Sequence, residues 1–167
     1  MRSQVAYCAR TLAELGYSIA FVESASAGRL SYEFSKTEHS GDVLKGGLIC
    51  YDVSFKQQLL GIPAGLIDTF TPESPEVTKA MAVIFARHHE VDVCVALTGL
   101  AKPGGSETPQ KPVGTVFVHG VFPGIEVSRR WEFQGTPEEV IEQAVASTAQ
   151  LITDTLTYKK PIDTDTR

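Results

Sequence analysis

The stretch "FVESASAGRLSYE", Phe21–Glu33, decides how the chain is read. It starts with the apolar run of a strand and ends with the spacing of a helix. Between them stand only small residues, Ser24, Ala25, Ser26, Ala27 and Gly28. Strand, tight turn and helix in that order are the opening unit of an α/β sheet. The turn lies where open α/β sheets place their ligands, at the carboxyl ends of the strands.

Upstream, Val5, Cys8, Ala9, Leu12 and Leu15 recur at helical spacing, and Gly16 is a stop. "YSIAFVES" follows as a strand apolar on both faces, the pattern of a central strand covered by helices on both sides. Downstream, Ala27–Lys36 forms a helix and "SGDVLKGG" a turn-rich connection. "GLICY" is a second strand, and Asp52 caps a helix that runs to Leu60 and is closed by Gly61 and Pro63. Ser74 and Pro75 start the next helix. "VDVCVALT" is the clearest strand in the chain. "GTVFVHGV" and "IEVSRRWEF", separated by Pro123 and Gly124, read as an antiparallel hairpin. A last helix begins after Gly135-Thr136-Pro137. The expected fold is a three-layer α/β/α domain over residues 1–160, with a mixed sheet containing that hairpin and a polar tail at 161–167. Strand ends at Ser24, Tyr51 and Thr98 should share one rim.

The bulk numbers agree with one globular domain. The chain has 167 residues, 43% of them hydrophobic and 21% charged. A net charge of −5 argues against a general nucleic-acid binder, whose affinity comes from cations set against phosphates. No apolar run reaches the roughly 18 residues of a membrane span, and the start does not read as a secretory signal because Glu14 interrupts it. Cys8, Cys50 and Cys94 lie scattered in apolar stretches without metal-site spacing. Reduced thiols in a cytoplasmic protein are the expectation.

Chemistry is sought first at Ser24. A hydroxyl at this turn either caps the helix or points into a cleft as a nucleophile, with backbone N–H groups beside it to receive an oxyanion. A serine nucleophile needs a base. The histidines at 39, 88, 89 and 119 have no evident link to Ser24 and no metal-ligand spacing. Lys56, one turn into the helix after "GLICY", is either a solvated lysine or a base in a partly dry pocket. The 16-residue loop "GLAKPGGSETPQKPVG" is a surface loop or a phosphate cradle, but it lacks the spacing of a P-loop.

Taken together, "VESASAG", "GGLICYDVSFKQQLLGI" and "VALTGLAKPGGSETPQKPVGTVFV" resemble the CinA C-terminal domain family, which includes stand-alone nicotinamide mononucleotide deamidases. The resemblance covers nearly the whole chain and is to the stand-alone form. It implies a Ser/Lys amidohydrolase with Ser24 as nucleophile and Lys56 as base, hydrolysing a carboxamide to acid and ammonia. A pyridine mononucleotide is the implied substrate and NAD recycling the implied context. The resemblance implies a homo-oligomer and neither cofactor nor metal. It places Glu23, Ser26, Gly28, Tyr51, Thr98, Gly99, Lys102, Gly104 and Gly105 around the substrate.

The motif is divergent. The family's Glu-Ser-Cys-Thr-Gly-Gly is Glu23-Ser24-Ala25-Ser26-Ala27-Gly28 here, an asparagine gives way to Val53, and a glycine gives way to Lys102. Arginines near the start of the last helix are replaced at Pro137, Ile141 and Glu142. These changes favour a second expectation, a catalytically silent paralogue that binds a nucleotide-like ligand or a protein partner.

Overall fold

Every residue of the first strand, β1 (Ile19–Glu23), is buried, and its side chains alternate between two apolar layers. Ile19 and Phe21 join one cluster; Ala20 and Val22 join the other. The strand β3 (Val93–Gly99) repeats this division, with Val93, Val95 and Leu97 on one side and Cys94 and Ala96 on the other. A strand buried on both faces demands helices above and below, so the three-layer arrangement follows from residue chemistry.

The computed structural model describes residues 1–158. The polar tail expected at 161–167 lies outside them. A five-stranded sheet has the order β2-β1-β3-β4-β5, with β2 (Leu44–Ile49), β4 (Thr115–Phe122) and β5 (Ile125–Glu132). β1 runs parallel to both β2 and β3; β4 is antiparallel to β3 and to β5. The sheet is therefore mixed and ends in the expected hairpin, whose turn holds Gly124 at φ 72°.

One face carries α1 (Arg2–Leu15), α2 (Arg29–Ser35) and α7 (Pro137–Thr157). The other carries α4 (Val53–Leu60), α5 (Ala64–Phe70) and α6 (Pro75–His88). The caps follow the sequence signals. Gly16 and Gly61 close α1 and α4 in the left-handed conformation; Asp52 and Ser74 accept backbone N–H groups at the starts of α4 and α6. Thr136 and Glu139 form a capping box on α7.

Three boundaries differ from the sequence expectation. The "SGDVLKGG" connection contains a single helical turn, α3 (Ser40–Val43), and then the first residues of β2. β2 thus begins at Leu44 and ends at Ile49, not at Tyr51. Gly46 and Gly47 hide the strand pattern because they supply no side-chain alternation. The third difference is α5, where Pro63 opens a new helix instead of only closing the previous one. Of its residues only Ile67 is buried, too little for a periodic apolar signal.

Candidate active site

The parallel arrangement of β2, β1 and β3 puts their carboxyl ends at one rim. Ser24 follows β1 there, held by a bond from its N–H to Leu97 O on β3. Its parity places the hydroxyl on the face that carries α4 and α6. Lys56 rises from α4 to meet it, with Nζ 3.0 Å from Ser24 Oγ. The same amine donates to Cys50 O at 2.8 Å and to Tyr51 O at 3.2 Å. Those carbonyls lie just past the end of β2. Tyr51 therefore contributes through its backbone while its side chain is exposed.

Lys56 is only 1% exposed, which sets it apart from a solvated helix lysine. Burial depresses its pKa below the usual lysine value; Glu73, Cys50 and Asp52 pull it partly back up. A neutral amine has two N–H donors and one lone pair. With the donors on Cys50 O and Tyr51 O, the lone pair is left for the Ser24 hydroxyl.

Glu23 has a different place from the one the sequence implied. Its carboxylate is fully buried and does not line a binding surface. Oε2 accepts from Ser26 Oγ, Gly28 N and Leu30 N at 2.7, 2.9 and 3.0 Å; Oε1 accepts from Ser31 N and Ser31 Oγ at 2.8 and 2.7 Å. Glu23 thus satisfies the first amides of α2, which are consequently closed to a substrate oxyanion. Ser26 is spent on the same carboxylate. Gly28, at φ 95°, turns the chain into α2 in a conformation that L side chains avoid. Of the turn's amides, those of Ala25 and Ser26 donate to no group among the described residues.

Four of the other expected ligand-binding positions, Thr98, Gly99, Gly104 and Gly105, are also engaged internally. Thr98 is fully buried beneath α6, its Oγ1 2.7 Å from Thr78 Oγ1. Gly99 allows β4 to approach, since a Cβ there would stand 2.8 Å from Thr115 O. In the β3–β4 loop, Gly104 N donates to the loop's own Glu107 at 2.8 Å, so a carboxylate occupies the amide expected to cradle a phosphate. Gly105 packs against Leu100. Lys102 is exposed and makes no ion pair among the described residues.

A second polar cluster, not singled out by its sequence, ties this loop down. Lys111 Nζ donates to Thr71 Oγ1, Glu73 O and Ser106 Oγ at 2.7, 2.8 and 2.7 Å. Ser106 Oγ in turn donates to Glu73 Oε2 at 2.5 Å. The only signal for it was a long loop carrying a lysine. Ser106 and Lys111 share the loop, but Thr71 and Glu73 lie more than 30 residues before them, so only the fold joins the two sides.

Beyond the turn lies a cavity of about 490 Å³, lined by Ala25, Ser26, Ala27, Gly28, Arg29 and Tyr32 on one side and Pro137, Glu138 and Ile141 on the other. The larger groove between β5 and α7 has no connection with Ser24 or Lys56 in its lining. Glu142 does not line the cavity near the turn. It pairs instead with Arg29, at 3.2 Å. Among the described residues no helix is long and apolar enough to cross a membrane.

A buried serine and a buried lysine thus meet at the rim of an α/β sheet. The profile of the CinA C-terminal domain matches residues 2–156, and the chain belongs to that family. A CinA-like protein of Mycolicibacterium vanbaalenii is 37% identical over 87% of this chain and 35% of its own length. A CinA-like protein of Desulfotalea psychrophila is 32% identical over 80% of the chain and 32% of its own. The chain therefore spans about a third of the length of these curated relatives. Among solved structures, the CinA superfamily protein of Enterobacter cloacae shares 27% identity at a TM-score of 0.84, covering 91% of this chain and 92% of its own. The competence damage-inducible protein A of Klebsiella pneumoniae shares the fold at a TM-score of 0.89, with 23% identity over 95% and 98% of the two chains.

Proposed function

We propose that the protein is a Ser/Lys amidohydrolase that converts a primary carboxamide to a carboxylic acid and ammonia. The observation that carries this reading is the 3.0 Å contact between Lys56 Nζ and Ser24 Oγ, made by an amine buried away from water. As the free base, Lys56 takes the Ser24 proton while Oγ attacks the carboxamide carbon. The unpaired amides of Ala25 and Ser26 are the donors nearest the developing oxyanion. The Lys56 ammonium then passes its proton to the departing nitrogen, the C–N bond breaks, and ammonia leaves an acyl-serine. Water attacks the ester and gives its proton to Lys56. That proton returns to Ser24 Oγ as the acid is released.

The family resemblance makes nicotinamide mononucleotide the first amide to assay, and NAD recycling the metabolic setting it suggests. The test is ammonia release by the wild type, Ser24→Ala and Lys56→Met. Ser24→Ala should abolish turnover, and Lys56→Met should lower kcat by about 10²–10⁴-fold, the usual contribution of a general base. Unchanged rates in either variant would refute the mechanism. One observation favours a silent binding protein instead: Ala27 is held at φ 48°, with its residue on the cavity wall. That reading gives saturable ligand binding with no ammonia from the wild type.

A further inference from the structure

We propose that the protein forms a symmetric dimer through the outer edge of β5, with Glu126 of each copy opposite Arg130 of the partner subunit. The proposal stands apart from the Ser/Lys reading and uses none of its residues. β5 closes one side of the sheet, and among the described residues no strand lies beyond it. Exposed strand edges pair with other strands unless something blocks them. A second copy of the same edge is the occupant that its pattern of charges fits.

The backbone fixes which residues face the seam. Phe122 and Ile125 close the hairpin as a pair across Pro123 and Gly124, and Phe133 N donates to Gly114 O. Ile125, Val127, Arg129, Trp131 and Phe133 therefore bond inward to β4, and Glu126, Ser128, Arg130 and Glu132 turn their amides and carbonyls outward. Of these outward groups only Ser128 O has a partner among the described residues, the exposed guanidinium of Arg129 at 2.9 Å. An antiparallel seam must set outward residues against outward residues, which leaves a two-fold axis few registers. Centred on Ser128, the axis places Glu126 opposite the partner's Arg130, and does so twice. Centred on Val127, it gives Glu126 only the partner's Ser128. Centred on Arg129, Glu126 meets the partner's Glu132; centred on Arg130, the arginines meet each other. Only the first of these joins opposite charges, and it also overlaps the strand almost end to end.

Both faces of the seam agree with that register. Glu126 already holds Lys79 at 2.7 Å, and Arg130 pairs with Glu132. Joined, they make a row of alternating sign: Lys79, Glu126, the partner's Arg130 and the partner's Glu132. On the opposite face Ile125 falls against the partner's Trp131, and Val127 against the stem of the partner's Arg129. In the single chain these side chains border an open groove of about 620 Å³ between β5 and α7, with Leu151 and Tyr158 on its far wall. Ile125 is 40% exposed there, so pairing takes apolar surface out of water. Exposed ion pairs add little affinity; the charges select register and partner, while backbone bonds and the Ile125–Trp131 contacts supply the hold. β2, the other outer strand, offers a poorer seam, with six residues rather than eight and an irregular register against β1.

Sedimentation velocity over a dilution series of the full chain tests this. The wild type should be a dimer at the upper end of the series. Glu126→Arg and Arg130→Glu each set like charges opposite one another twice and should raise the dimer Kd at least about tenfold. An equimolar mixture of the two variants should recover the dimer, because each offers the charge that the other lacks. Both should keep the wild-type circular dichroism, since the two side chains are half-exposed. A wild type that stays monomeric throughout overturns the proposal. So does a dimer that neither variant weakens, which would place the contact on another face. A mixture that remains monomeric overturns it too, because a seam with these two residues opposite each other must be rescued in that way.

Discussion

At the scale of single residues, the chemistry turns on one amine. Lys56 is held below its ordinary pKa by burial, so the sign of its pH effects is fixed. The proposed catalysis needs the free base. kcat/KM should therefore rise with pH and level off above the folded-state pKa, short of the 10.5 of an unperturbed lysine. A flat profile, or a limb at 10.5, would show an amine exposed to water. Stability carries the same signature. Between the folded pKa and 10.5 the unfolded chain binds more protons, so stability rises with pH across that window. Lys56→Met removes the penalty. Chemical denaturation should find the variant more stable than wild type at neutral pH, with the gain shrinking toward pH 10.5. The sequence put Ser24 at the strand-to-helix turn and Lys56 in the helix after the second strand, where the structure has them, but offered each two meanings. Choosing between them needs the burial of Lys56 and the carbonyls of Cys50 and Tyr51, which come from a strand end that no local pattern fixes.

At the scale of elements, the strand-turn-helix unit at residues 19–35 depends on Glu23. A short helix of seven residues has little stability of its own. Here its first amides converge with two hydroxyls on one buried carboxylate. Glu23→Ala leaves five donors without an acceptor and should cost about 3–5 kcal/mol in denaturant unfolding, the scale for breaking a buried charged network. A loss below about 1 kcal/mol would mean that water replaces the carboxylate. Glu23 was legible as part of the motif but not in its role. A glutamate beside a nucleophile invites a binding function, and only the five contacts show that its capacity is exhausted. The caps at Asp52 and Ser74 were readable because each works within three residues of its partner. The Lys111 clasp was not, because its members are up to 40 residues apart.

At the scale of the whole molecule, the alternation in β1 and β3 made the layered fold readable, since residues buried on both faces leave no other covering. Burial is complete enough that the Cys8 and Cys94 thiols, one in each layer, are both pushed up to about 12. Less visible was which strands would lie outermost. β2 forms one border of the sheet and β5 the other. Lys56 is anchored by the carbonyls just beyond β2, and the protein's single tryptophan, Trp131, sits on β5, packed against Phe133. The two borders thus carry separate reporters. Outer strands have one neighbour each and open at lower free energy than the interior. In a urea titration, ammonia release should fade at a lower midpoint than tryptophan emission, because β2 has six residues and a register irregularity against β1 whereas β5 pairs over eight residues without a break, so β2 detaches first and takes the proposed base with it. Coincident midpoints would mean that the sheet comes apart as one cooperative unit. If they separate, the proposed activity switches off by peeling along a single seam long before the molecule melts.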